Sequence, residues 1–409
     1  MSSSSHRVTR LALAVGATCS LGVSATAQAG QTYVQPQAVV RAETDSNLTL
    51  DPAGSPEGTT EGYIADLQVL VGYATPTSET SIRPRVRFQN YPDYDQREKV
   101  EGFLDWVTRF RWERSLFDII ANYSQQDSYN YDTRSGEFDP LDPNNPTVAG
   151  SGKSLTGETR TEAVVRPSYS YDLTERLSVG VGGQYQITNY DASEGPSNRV
   201  DYDFWVVNAN LGWSLDERSI VGIVGYLSQY EPKNIDGHTD GYGAGVTYDY
   251  KWSEVLGFEA TVGYEVNDPK YSELGQEEQK SSSVGGSIAA FGESEASKWR
   301  FLVRQRYAPN GDGGMRQMDE VRFQYDRDFT RRLSFLGSAR YESQRQLTGQ
   351  IGEDRDTARL DVGLKWLVAP TWFVQGGYAY IWQKEGNQGN ADNNRFYLGA
   401  GYKGLGRQR

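Results

Sequence analysis

The chain has 409 residues, 37% of them hydrophobic and 12% aromatic, with a formal net charge of −13. Past residue 29 no apolar run approaches the roughly 18 residues that a membrane helix needs, so a helical membrane protein is excluded. The acidity argues against nucleic acid as a partner, because that partner demands a basic footprint.

Residues 1–29 read as a secretory signal. Arg7 and Arg10 supply the positive start, Leu11 to Val23 the apolar segment, and Ala27-Gln28-Ala29 a small-residue cleavage site. A short buried helix is the competing reading, and the serine-rich start fits it poorly. The single cysteine, Cys19, lies inside this segment, so a mature domain spanning 30–409 has no disulfide and no thiol chemistry.

From there the chain alternates with period two. Strands are expected at Tyr33–Asn47, Glu61–Tyr73, Glu79–Tyr91, Val100–Glu113, Leu116–Tyr129, Gly157–Asp172 and Arg176–Tyr190. They continue at Val200–Ser214, Ser219–Glu231, Gly237–Tyr250, Val255–Asn267, Lys280–Glu293 and Lys298–Tyr307. The last are Met315–Asp328, Arg332–Arg345, Glu353–Leu367, Trp372–Lys384 and Asn393–Gly404. In the sixth and seventh, Ala163, Val165, Tyr169, Val179, Val181 and Tyr185 share one face. Arg160, Glu162, Arg166, Gln184 and Gln186 share the other. Successive side chains of a strand point to opposite sheet faces, so each strand presents one apolar and one polar wall.

The connections alternate between long (Thr49–Thr60, Asn130–Thr156, Asp268–Gln279) and short (Ala74–Ser78, Leu173–Glu175, Phe329–Arg331). That rhythm, with eighteen strands, predicts an all-β fold: a transmembrane antiparallel up-and-down β-barrel with both termini and the short turns on the periplasmic side. A soluble propeller or sandwich would instead show four-stranded blades or Greek-key crossovers. Aromatic residues gather near strand ends, as Trp112, Tyr171, Trp213, Tyr250, Trp366 and Trp372 by the turns. Tyr129, Tyr190, Tyr264, Tyr307, Tyr341 and Trp382 lie by the loops, where membrane–water interfaces favour such rings. Three features strain the pattern. Pro36, Pro84 and Pro167 fall inside strands, where each removes a ladder donor. Tyr202–Ser214 reads almost equally well on either parity. A short basic tail follows the final strand, where many outer-membrane barrels end on an aromatic residue.

The polar parity is rich in arginine: Arg83, Arg85 and Arg87, then Arg109 and Arg111, Arg160 and Arg166, and Arg300, Arg304 and Arg306. Arg316, Arg322, Arg340, Arg355 and Arg359 follow. Glu101, Asp105, Glu162, Glu259, Glu320 and Asp361 share it. A guanidinium facing lipid near the midplane costs about 2–4 kcal/mol, so these groups are expected to line a lumen. They either brace the wall as Arg–carboxylate ladders or present charge to a passing solute, and the same residues can do both. Strands three and four, and thirteen to sixteen, are the expected cationic flank. Enzymatic readings have little support: His238, the one histidine past the signal, sits between Asp236 and Asp240 in a polar rim. The acidic loop residues Glu137, Asp139, Asp142, Glu277 and Glu278 lack the spacing of a calcium site. No cofactor or metal ion is implied.

The chain resembles the beta-barrel porin 2 family of Gram-negative outer-membrane proteins. The resemblance rests on Arg41-Ala42-Glu43-Thr44-Asp45-Ser46-Asn47-Leu48 leaving the first strand. It rests also on the turns Tyr171-Asp172-Leu173-Thr174-Glu175-Arg176-Leu177 and Tyr325-Asp326-Arg327-Asp328-Phe329-Thr330-Arg331-Arg332-Leu333. It implies an outer-membrane conduit for a secreted exopolysaccharide, with membrane lipid, an anionic polysaccharide and periplasmic export components as partners. A general or anion-selective porin, and a structural or adhesive surface barrel without a conducting pore, are the alternatives.

Overall fold

In hydrocarbon a strand can satisfy its backbone only by pairing along both edges, so a set of such strands must close on itself. The computed structural model describes residues 30–48, 50–52, 58–92, 99–127, 158–191, 199–233, 235–271, 280–347, 354–386, 389–405 and 407–408. The signal expected at 1–29, the loop expected at Asn130–Thr156, and Tyr129 lie outside them.

Eighteen strands form the wall: β1 (Gln31–Asp45), β2 (Thr60–Ala74), β3 (Ser78–Asn90), β4 (Lys99–Arg111), β5 (Ser115–Asp127), β6 (Thr159–Asp172), β7 (Leu177–Asp191), β8 (Tyr202–Ser214) and β9 (Ser219–Pro232). The others are β10 (Gly237–Lys251), β11 (Leu256–Tyr271), β12 (Ser281–Glu293), β13 (Ser297–Asn310), β14 (Gly314–Asp328), β15 (Leu333–Gln346), β16 (Arg355–Leu367), β17 (Trp372–Glu385) and β18 (Asn390–Lys403). Each pairs antiparallel with the next, and β1 pairs with β18 from Gln37↔Lys403 to Asp45↔Arg395, which closes the barrel. A two-residue β19 (Arg407–Gln408), in the expected basic tail, extends that seam along Tyr33 and Val34. Every expected strand is present. The largest boundary shifts are at β11, which runs on to Tyr271, at β13, which runs on to Asn310, and at β18, which starts at Asn390.

The apolar parity faces outward. Val40, Val86, Val181, Ile223, Val246, Val262, Val303 and Leu398 are all exposed although large and hydrophobic, as a lipid-facing band requires. Trp112, Trp213, Trp366 and Trp372 stand exposed at the turn end, and Tyr264 and Tyr341 at the loop end. Two expected members of this girdle are elsewhere. Tyr190 is buried inside the barrel, and Tyr307 packs against the same interior cluster. The ambiguous β8 resolves with Val207, Leu211 and Trp213 outward. Its other parity is apolar for a separate reason, since Tyr202 and Phe204 belong to that interior cluster.

The three prolines sit inside strands, and each breaks the ladder on one side only. The β2–β3 pairing skips the positions around Pro84, from Gln68↔Arg85 to Val71↔Ile82, while β3–β4 keeps Pro84↔Leu104. The β6–β7 pairing likewise jumps from Val165↔Tyr185 to Ser168↔Gly182, while Ile119↔Pro167 holds on the β5 side. Pro36 lies one residue beyond the last β1–β18 bridge, where its carbonyl still accepts the Gly404 N–H at 2.8 Å. A missing donor thus costs one or two bridges and not the wall.

The short turns repeat one device. Thr174 Oγ1 accepts the backbone N–H of Arg176 (3.2 Å) and Leu177 (3.0 Å), and Thr330 Oγ1 those of Arg332 (3.1 Å) and Leu333 (3.0 Å). Ser253 Oγ does the same for Val255 and Leu256. A hydroxyl two or three residues before the strand start satisfies N–H groups that the ladder does not reach. Replacing both Thr174 and Thr330 by Val is expected to lower the stability of the folded barrel by about 1–3 kcal/mol, at 0.5–1.5 kcal/mol per hydrogen-bonding site. Urea unfolding of the barrel in detergent micelles measures this.

Candidate functional site in the barrel lumen

Charges excluded from lipid turn inward, and the register decides which of them meet. Arg83 reaches Asp105 at 3.0 Å, while Arg85 and Arg87 share Asp66 at 3.0 and 3.2 Å. Arg87 also reaches Glu101 at 3.4 Å, whose other oxygen accepts the Asp127 N–H. Arg109 pairs with Asp118 at 2.7 Å, and Arg300 with Glu259 at 2.8 Å. Arg160 pairs with Glu162 at 2.5 Å; Arg166 donates to the amide oxygens of Gln184 and Asn122 at 2.9 Å each. Arg111 ends β4 exposed at the turn rim. Arg395, fully buried, meets Asp45 at 2.9 Å across the closing seam. These ladders brace neighbouring strands and fix side-chain direction, which matters more than any net stability a buried ion pair adds.

Strands β13 to β16 carry the densest array. One cross-strand row reads Arg304, Glu320, Glu342, and the next row toward the turns reads Arg322, Arg340, Arg359. Like charges directly opposite one another repel. The rows hold because they attract each other: Glu320 receives Arg304, Arg322 (2.7 Å) and Arg340 (3.1 Å), and Arg340 also pairs with Glu342. Arg359 is satisfied along its own strand by Asp361 at 2.7 Å. On the loop side the following row is Arg306, Met318, Gln344, Arg355, with Arg355 opposite Glu385 in the β16–β17 register.

The opposite arc differs. Strands β7, β8, β9 and β12 contain no Lys or Arg, and β10 and β11 carry only Lys251 and Lys270 near their ends. Their inner faces present Gln184, Gln186, Asn208, Asn210, Ser228 and Thr239, with Glu259 and Glu265. The lumen therefore has a cationic side and a neutral-to-acidic side. Side-chain exposure also falls from the turn end, at 44% for Arg109 and 45% for Arg300, to 6% for Arg316 near the loops.

That narrowing has a visible cause. Pairing of β12 with β13 stops at Gly286↔Gln305, while β13 and β14 stay paired to Asn310↔Gly314. Beyond Gln305 the hairpin parts from β12 and leans inward while β14 stays paired with β15 as far as Arg316↔Gln346, and Gly286, at φ +152°, marks the parting in a conformation that favours glycine. Its tip crosses to β7–β9. The Val200 N–H donates to the Gly311 carbonyl at 2.8 Å, and the Tyr230 hydroxyl to the Asn310 carbonyl at 3.1 Å. Asp312 joins Arg199 to Arg316, the latter at 2.5 Å. Tyr190, Tyr202, Phe204, Tyr230, Met315 and Leu347 form an apolar bolt around the crossing. Each such side chain contributes about 1.5–3 kcal/mol on burial, so this patch outweighs any one polar contact at the tip.

Of the expected inner residues, Arg316 thus serves the crossing and Arg306 pairs with no carboxylate among the described residues, while the rest brace the wall or stand at its rim. Sequence reasoning missed Asp66, Asp45, Arg199 and Asp312. Asp66 stood in plain view as the sole acid on the inner parity of an apolar strand. Asn310-Gly311-Asp312-Gly313-Gly314 carries a tight-turn signature that marks a hairpin tip rather than an open loop. His238 lies at the loop-end rim, 3.5 Å from Asp240, which also binds Lys270 at 2.7 Å. Among the described residues no group of three or more potential metal ligands gathers.

Replacing Asp312 by Asn leaves Arg199 and Arg316 without their shared carboxylate, a loss of about 3–5 kcal/mol where a buried pair is broken. The expected outcome is a loosened crossing, read as higher and noisier single-channel conductance in a planar bilayer, with the barrel still folded.

Residues 216–403 match the family described as Outer membrane protein beta-barrel domain. Solved structures with a similar outline include Pseudomonas aeruginosa OpdO, at 12% identity over 92% of this chain and 97% of that one, TM-score 0.44. Others are P. aeruginosa OccK2 (OpdF) in complex with glucuronate (13%, 91% and 98%, TM-score 0.47) and Acinetobacter baumannii OccAB3 (11%, 91% and 99%, TM-score 0.46). No curated protein matches. The fold is a closed eighteen-strand antiparallel barrel, and residues 216–403 of it are similar in sequence to an outer-membrane barrel domain.

Proposed function

We propose that the chain is an outer-membrane diffusion porin selective for small anions, with the β13–β14 hairpin as its constriction. The observation that carries this is the crossing of the lumen by that hairpin beside the arginine rows of β13–β16. A narrow passage with low-dielectric walls and one cationic flank concentrates anions and excludes cations of similar size. The turns face the periplasm, residues 1–29 direct export, and lipid surrounds the apolar outer face. Solved barrels of similar outline include one determined with glucuronate, in keeping with a passage for small solutes.

Export of an exopolysaccharide, which the resemblance to beta-barrel porin 2 implies, fits the same inner charges less well. A polymer needs a continuous wide path, and the tip contacts at Val200, Tyr230 and Arg199 close off part of the lumen. The test is a reversal-potential measurement on the purified barrel in a planar bilayer under a KCl gradient. Chloride is expected to permeate in preference to potassium, and the preference is expected to shrink when Arg83, Arg109 and Arg300 are changed together to Gln. A barrel that carries no current, or prefers potassium, overturns the proposal. Block by acidic oligosaccharide together with loss of surface polymer on deletion would favour export instead.

A further inference from the structure

We propose that Arg306 is the anchor of a carboxylate-binding site at the constriction, a reading that rests on the porin function above and deepens it. Almost every other inner arginine is matched. Glu320 serves Arg304, Arg322 and Arg340, Asp361 serves Arg359, and Asp312 serves Arg316 and Arg199. Arg306 forms no ion pair among the described residues. Its cross-strand neighbour is Met318, where a carboxylate would have completed the ladder. On the β12 side the wall has already parted, because that pairing ends one residue earlier at Gln305.

The atoms left open define the ligand. Nε and Nη2 of Arg306 are both buried and donate to no partner among the described residues. These two nitrogens form one edge of the guanidinium, with two parallel N–H vectors spaced to meet the two oxygens of a single carboxylate. A buried guanidinium with an unfilled edge is costly to the fold, and a bound carboxylate removes that cost. The residue as a whole is half buried, and the proposed site requires a side-chain rotation, on the ps–ns scale of such flips, to turn this edge toward the lumen. Local charge agrees: Arg304, Arg306, Arg322 and Arg340 face only Glu320 and Glu342, which leaves room for an anion. On the facing arc the exposed Asn208 and Asn210 offer amides to a hydroxylated body. The solute class is a small carboxylate with a polar, hydroxyl-bearing remainder.

The test compares the full barrel with Arg306→Lys and Arg306→Gln, using gluconate as the carboxylate and glucose as the uncharged control. Lysine keeps the charge and loses the fork. Gluconate is expected to bind the wild type, by calorimetry in detergent and by block of chloride current, while glucose does neither. Both variants are expected to bind gluconate at least ~10-fold more weakly, the scale of one lost charge-assisted fork, and Arg306→Lys is expected to retain chloride preference. Heat-shifted migration on gels reports that each variant is folded. Equal gluconate affinity in all three, or a wild type that conducts chloride and binds no gluconate, overturns the site while sparing the porin reading. A wild type that binds gluconate with its affinity set by Arg306, yet carries no current, keeps the site and overturns the porin reading.

Discussion

Everything in this barrel depends on the pairing of β1 with β18. Within hydrocarbon an unpaired N–H or C=O costs several kcal/mol, so a sheet of seventeen good interfaces and one open edge would not span a membrane. Nine bridges from Gln37 to Asp45 remove that edge. The fully buried Arg395–Asp45 pair fixes their register near the loops. A one-residue slip at this seam would turn the arginine face of β18 toward lipid. Closure and inner charge are thus one constraint.

Given closure, the rest follows from where polar groups can go. The outer face takes the valines, leucines and interfacial tryptophans. The inner face takes arginine, carboxylate and amide, and these arrange themselves in rows whose like charges are tolerated only because the adjacent row is opposite. The placement is uneven around the circumference. Strands β13–β16 and β18, with β1, β3, β4 and β6, hold the inner arginines, while β7–β12 hold small and amide side chains with Glu259 and Glu265, so the lumen is polarised across its width.

Much of this was legible in the sequence because its cause is local. Period-two alternation names strands and faces, and the long-short rhythm of connections names the topology. The arginines fall on the inward parity because any other position would be costly in lipid. What was not legible is contact between distant strands. Tyr202 and Phe204 blurred the parity of β8 because their apolar character answers Met315 and Leu347, more than a hundred residues away. Tyr307 looked like a girdle residue, since nothing local reveals that its strand has parted from β12. The prolines strained the pattern because single-strand reasoning cannot show that a barrel tolerates a bridge missing on one side.

The parting between β12 and β13 changes what it would take to move the hairpin. A loop lifted out of an intact wall must rupture backbone bridges, and each rupture in a membrane is severe. Here the bridges between Ser281–Gly285 and Arg306–Asn310 are already absent, and the Tyr307 hydroxyl, 2.9 Å from Ser283 Oγ, spans the slit instead. On that side the resistance to displacement therefore resides in one apolar cluster and a few tip contacts, while the β14–β15 bridges up to Arg316↔Gln346 act as the hinge. Apart from the Val200–Gly311 backbone bond, these are side-chain quantities that single substitutions adjust without endangering the cylinder, so pore width can drift in evolution while the scaffold stays fixed.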